Sequence, residues 1–129
     1  MTTTVNDPIA LAELTAAFES YERALMDNDT EALGALFWAS PHTVRYGVGE
    51  NLYGADEIAA FRRARPGGAP QRVLTRTVIT TFGMDFGSAC TEYVRVGGTA
   101  IGRQTQTWAR RPEGWRIVAA HVSQMQDFS

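Results

Sequence analysis

Apolar side chains recur at Leu11, Leu14, Phe18 and Leu25. Steps of three, four and seven residues draw one stripe along an α-helix. Tyr21 falls on that stripe between Phe18 and Leu25, so its phenol turns towards the core. Asn6-Asp7-Pro8 supplies the start, a capping side chain followed by proline in the first turn. Asn28-Asp29-Thr30 caps a shorter second helix, which presents Leu33, Leu36, Phe37 and Trp38 as its buried side and ends at Ser40-Pro41. Residues 43–46 read as a short strand, Gly47-Val48-Gly49 as a turn, and residues 51–53 as its continuation. A third helix starts at Gly54, runs through Ile58 and Phe61, and stops at Pro66-Gly67-Gly68.

Beyond that stop the period changes. Four strand-like runs cover residues 71–82, 86–96, 99–110 and 115–125, with Gly83-Met84-Asp85, Gly97-Gly98 and Arg111-Pro112-Glu113-Gly114 between them. Helices gathered at the front and hairpins at the back define an α+β class, with the helices packed into a curved antiparallel sheet. One domain is expected over residues 1–129, since no linker, repeat or low-complexity tract interrupts the chain. On the third long strand, Ile101, Arg103, Thr105 and Thr107 alternate with Gln104, Gln106 and Trp108. If Ile101 faces the helices, Arg103 enters the interior with it. Trp108 and Val118 are then assigned to the outer face, against a partner. On the last strand Ile117, Ala119, His121 and Ser123 are read as sharing one face.

Composition narrows the chemistry. The chain has no lysine; all twelve basic residues are arginine. That excludes Schiff-base and Ser–Lys catalysis and a phosphate loop of the GK[ST] type. Residues 1–60 hold two Arg and ten Asp/Glu, whereas residues 61–129 hold ten Arg and four Asp/Glu. Two readings follow: acidic helices matched to an Arg-rich sheet, or arginines lining a cavity that takes an anion. No G-x-S-x-G elbow is present, and Cys90 has no local signature and reads as a buried strand residue, so a covalent amidase is not expected. Two histidines and one cysteine without ligand spacing give no metal site. Gly47-Val48-Gly49 lacks the third glycine of a dinucleotide fingerprint, and Arg62-Arg63-Arg65 reads as a solvated helix face rather than a nucleic-acid contact. The start of the chain shows no signal-peptide pattern, the lone cysteine suits a reducing cytoplasm, and nothing suggests a membrane surface.

The order helix, helix, strand, helix, four strands resembles the cone-shaped nuclear-transport-factor-two-like fold. Phe37-Trp38, Val44-Arg45-Tyr46-Gly47, the run Arg103-Gln104-Thr105-Gln106-Thr107-Trp108 and the closing GWRIVAAHVS segment resemble the AtzH-like family within it. That resemblance implies breakdown of small carboxylated ureas and amides, in particular cofactor-free, amidohydrolase-type decarboxylation of dicarboxyurea to allophanate. It also implies a catalytic tyrosine on the first helix and a catalytic arginine on the first strand, here Tyr21 and Arg45.

Those residue types suit the chemistry. Loss of carbon dioxide from an N-carboxy group needs a cationic site for carboxylates and a proton donor for the nitrogen. Arginine pairs with carboxylate through a planar fork, and a partly buried tyrosine can act as a general acid. Each also has a structural reading: Tyr21 as a core tyrosine, Arg45 as an ion-pair partner of a helix acid or as a solvent-facing side chain. The resemblance favours the functional one. Arg103, His121, Ser123 and Trp38 are the candidate substrate-binding residues, Arg103 for a second carboxylate and His121 as a proton carrier near neutral pH. The expected partners are a small dicarboxylate, a second copy of the chain through the outer sheet face, and a pathway amidase. The alternatives are a non-catalytic assembly subunit for such an amidase, or a lyase or isomerase using His121 or Glu92 in the same cone.

Overall fold

The computed structural model describes residues 2–126, so the outermost ends of the expected 1–129 domain lie outside the described residues. Helix α1 spans Pro8–Met26. Asp7 caps it by accepting from the backbone N–H of Ile9 at 3.0 Å and of Ala10 at 3.2 Å. Its buried stripe is Ala10, Leu14, Phe18, Tyr21, Ala24 and Leu25, close to the predicted one. Helix α2 is Thr30–Leu36, capped by Asp29. It ends earlier than the sequence suggests. Phe37 is extended and bridges to Ile117, and the Trp38 N–H donates to the Ile117 carbonyl at 2.9 Å. A sheet partner thus takes the chain at the point where helical hydrogen bonding would have continued. Helix α3 is Ala55–Ala64.

The strands are β1 Val44–Tyr46, β2 Asn51–Tyr53, β3 Arg72–Phe82, β4 Phe86–Arg95, β5 Ile101–Arg111 and β6 Gly114–Gln124. They form one sheet in the order β2-β1-β6-β5-β4-β3. The predicted meander is β3 to β6. Strand β1 joins it parallel to β6, pairing Arg45 with Ala120, and antiparallel to β2. That parallel pairing has no signal in the local sequence.

The helices lie against one face, and the core is where α1 and α2 meet β4, β5 and β6: Leu14, Phe18, Leu33, Phe37, Ala89, Trp108, Trp115 and Ile117. Leu14 of α1 packs directly on Gly87, where a Cβ would stand 2.8 Å from the Thr80 carbonyl oxygen and would overlap Leu14.

The face assignment of β5 is reversed from the expectation. Gly102, Gln104, Gln106 and Trp108 turn inwards, whereas Arg103, Thr105 and Thr107 are exposed and Ile101 is 38% exposed. Alternation is strict, so one buried anchor fixes the strand, and Trp108, fully buried with its indole N–H on Gln106 Oε1 at 3.0 Å, is that anchor. Trp108 is therefore core and not partner surface. On β6 the register slips at Val118, since Thr107 pairs with Ala119 while Trp108 pairs with Ile117. Such a bulge changes which face the following residues occupy. Ile117 points inwards as expected, but beyond it Ala120 and Val122 are the buried positions and His121 is exposed. Cys90 is also exposed on the outer face. Among the described residues no helix is long and apolar enough to cross a membrane.

Candidate functional site

Tyr21, 2% exposed on α1, and Arg45, 5% exposed in the middle of β1, line one small cavity under the sheet. Arg62 and Arg65, from α3 and its C-cap, come from one side. Arg72, Tyr93, Arg95 and Gln104 come from β3, β4 and β5. Leu25, Ala69, Pro70 and Val122 are the apolar part of the lining, which among the described residues contains five arginines and no carboxylate. The cavity measures about 40 Å³. A water needs roughly 10–15 Å³ on this scale, so the space suits a few waters or one carboxylate. A larger ligand requires the half-buried side chains at the mouth, such as Arg65 and Arg95, to move.

Four of the five cations are held in different ways. Arg45 Nη1 donates to Glu50 Oε1 at 2.8 Å, and its guanidinium lies 5.7 Å from the Phe61 ring centre. Arg72 forks onto Glu22 at 3.0 and 2.7 Å, stacks 4.5 Å above the Tyr93 ring and donates to Gln104 Oε1 at 3.2 Å. Burial opposes the Arg72 charge, but the hydrogen bonds and charge of Glu22 outweigh it and raise its pKa above the ordinary value. Arg65 lies over the other ring contact of Phe61, at 5.6 Å.

Arg62 is the exception. It is 5% exposed, and among the described residues no carboxylate lies within ion-pair distance. Its one hydrogen bond runs from Nη2 to the Tyr21 phenolic oxygen at 3.0 Å. Burial lowers its pKa from the ordinary value, and the nearby positive charges of Arg45 and Arg65 push the same way against Tyr21. Because a guanidinium only donates, Tyr21 is the acceptor, which leaves its own proton available.

Five buried side-chain polar atoms among the described residues have no hydrogen-bond partner, and three of them belong to this cavity: Arg45 Nε, Arg62 Nε and Gln104 Nε2. All three are donors. A buried donor without an acceptor costs about 1–3 kcal/mol, more when charged. The site is therefore short of acceptor oxygens, which a small anion supplies.

The structure brings Tyr21 and Arg45 together but places the other four sequence candidates elsewhere. Arg103 is exposed on the outer face of β5, paired with Glu92 on one side and Ser123 on the other. His121 also lies on the outer face, its ring 5.6 Å from Tyr46. Ser123 follows His121 in that phase because of the Val118 bulge. Trp38 stacks under Arg111 at 5.1 Å and beside His42 at 6.2 Å. Arg111 is seven residues along β5 from Gln104, about 23 Å at a strand's rise per residue. Glu92 is exposed too, so a lyase or isomerase using His121 or Glu92 in this cavity is excluded by their placement.

Residues that the sequence reading missed are Arg62, Arg65, Arg72, Tyr93, Arg95 and Gln104. Arg62 is buried rather than part of a solvated face, since its spacing of four from buried Ile58 puts it on the inward stripe of α3. The surplus of arginine in residues 61–129 was the available signal for the rest. The surplus is divided: Arg72 with Glu22 and Arg110 with Glu13 join sheet to helix, while Arg62, Arg65 and Arg95 line a cavity that has no acid among the described residues. A larger depression of about 400 Å³ lies between the 39–41 segment and the start of α3. Its lining includes Asp56 and Glu57, the wrong sign for an anion.

Helices seated on a six-stranded curved sheet that encloses a cavity define the nuclear-transport-factor-two-like class, and comparison with solved structures agrees. A protein of this class from Pseudomonas putida, of unknown function, superimposes with a TM-score of 0.80 at 16% identity over 95% of this chain and 92% of its own. Much closer are a protein of unknown function from Pectobacterium atrosepticum, with 59% identity, TM-score 0.92 and 95% of each chain covered, and a cystatin-like fold protein from Burkholderia xenovorans, with 49% identity, TM-score 0.91 and coverage of 97% and 98%. The AtzH-like family model matches residues 3–128, and the chain belongs to that family. Among curated proteins none matches.

Proposed function

We propose that the protein is a cofactor-independent enzyme that decarboxylates a small dianionic N-carboxylated urea or amide, with dicarboxyurea giving allophanate as the reference reaction. The carrying observation is the meeting of a buried tyrosine, whose phenolic oxygen is held by Arg62 at 3.0 Å, with a five-arginine cavity whose lining has no acid among the described residues.

The chemistry follows from that lining. Arg45 and Arg62 hold the anion by their free Nε donors. The bond between nitrogen and the departing carboxylate carbon breaks, its electron pair goes to nitrogen, and carbon dioxide leaves. Tyr21 gives its proton to that nitrogen, and Arg62 stabilises the phenolate until solvent returns a proton. The net reaction takes up one proton per carbon dioxide released. Positive charge about the developing anion and the proton transfer each lower the barrier, the second by a factor of roughly 10²–10⁴.

The test is turnover of freshly prepared dicarboxyurea by pure protein, with allophanate and carbon dioxide both followed. Expected is decay faster than the spontaneous rate, lost in Tyr21→Phe and Arg45→Ala while both variants remain folded. Full activity in both variants would refute the assigned roles.

We place self-association on the outer sheet face, where Val78 is 50% and Ile101 38% exposed beside Cys90 and Thr105. A pathway amidase is the second candidate for that face. Light scattering of the purified protein, alone and with such an amidase, separates the two.

A further inference from the structure

We infer that Gln104 determines specificity at this site, its carboxamide NH₂ taking an acceptor oxygen of the bound anion. This deepens the proposed function and rests on its reading of the cavity as an anion site.

A glutamine amide is ambiguous until something fixes which end is oxygen. Here Arg72 does so. Arg72 only donates, and its Nη2 stands 3.2 Å from Gln104 Oε1, so the NH₂ end is turned away from it. Arg72 is itself anchored on two sides, forked onto Glu22 at 3.0 and 2.7 Å and stacked 4.5 Å over Tyr93. Tyr93 in turn lies flat on Gly102, where any Cβ would overlap its ring. Glycine, tyrosine, arginine and glutamine thus form one chain of contacts across β3, β4 and β5 that ends in an aimed amide.

That amide is 2% exposed, and its Nε2 is buried with no partner. The Gln104 side chain lines the cavity with the Arg45 and Arg62 guanidiniums, whose Nε atoms are also without acceptors. Two cationic donors select for negative charge. A neutral donor in the same lining adds a distinct demand, an acceptor oxygen of a carboxylate or of an adjoining carbonyl. Ligands that present an N–H or ammonium at that position meet donor against donor and are rejected.

The experiment is calorimetric binding of malonate, a dicarboxylate that does not react, to the wild type and to Gln104→Met, Gln104→Glu and Arg45→Ala, with dicarboxyurea kinetics alongside. Losing one hydrogen bond to a charged group weakens binding by about tenfold to a hundredfold in Gln104→Met. Gln104→Glu keeps the bond to Arg72 but sets a carboxylate against the ligand, and its loss exceeds that of Gln104→Met. In turnover both variants raise KM far more than they lower kcat, which loss of fold would not do. Arg45→Ala abolishes malonate binding and so locates it in this cavity. Equal malonate affinity in wild type and both Gln104 variants overturns the assignment while the cavity reading stands. Malonate binding with the expected losses but no dicarboxyurea turnover sustains Gln104 and sinks only the reaction. No malonate binding and no turnover in the wild type overturns both.

Discussion

Replacing Arg62 by methionine is expected to make the protein more stable and less functional at once. Arg62 is 5% exposed, has no carboxylate partner among the described residues, and is pressed by the charges of Arg45 and Arg65. Its compensation in the free protein is one hydrogen bond to a neutral phenol at 3.0 Å. Exchanging buried ionic groups for apolar side chains of similar volume is often neutral or stabilising by about 1–4 kcal/mol. Against that stands the lost hydrogen bond, worth about 1.5 kcal/mol at the low end for a charged donor. The difference runs from about −0.5 to about 2.5 kcal/mol, so the net expectation is a gain of about 1 kcal/mol, or an increase of a few degrees in Tm for a domain of this size. Urea denaturation and calorimetry of Arg62→Met measure it directly. In the wild type, malonate should raise Tm by mass action, and in Arg62→Met that rise should largely vanish. A Tm several degrees below wild type would refute the reasoning, because it would mean that Arg62 is a net stabilising element rather than a cation held ready for a ligand.

Gly102→Ala is expected to cost about 1–3 kcal/mol, since its Cβ overlaps the Tyr93 ring and the strand has to give way; a wild-type denaturation midpoint would contradict the packing. The same variant should weaken malonate binding, because Tyr93 carries Arg72 at 4.5 Å. Trp108→Ala should destabilise by about 3–5 kcal/mol, as for other buried aromatic truncations. A change below about 1 kcal/mol would return Trp108 to the outer face. Val78→Asp, at a position 50% exposed on that face, should leave the monomer fold intact and shift light scattering towards the monomer; an unchanged mass would move the self-association surface elsewhere.

Local signals in the chain were sufficient for the elements themselves. Asp7 and Pro8 start α1, its apolar stripe turns Tyr21 inwards, and Gly and Pro clusters separate the strands, because caps, helical period and turns are matters of a few adjacent residues. The absence of lysine likewise excluded Schiff-base and Ser–Lys chemistry, and the excess of arginine in the second half left two readings, acidic helices matched to the sheet or a cavity for an anion.

What the sequence left open was decided by partners distant along the chain. Trp108, not Ile101, anchors β5, so Gln104 faces the cavity and Arg103 faces out. One extra residue at Val118 turns His121 and Ser123 to the outer face. Alternation gives two equivalent phases for any strand, and only the packing of the whole sheet against the helices chooses between them. Arg62 shows the same limit, since its charge reads as surface until α3 is laid beside Tyr21, 41 positions away.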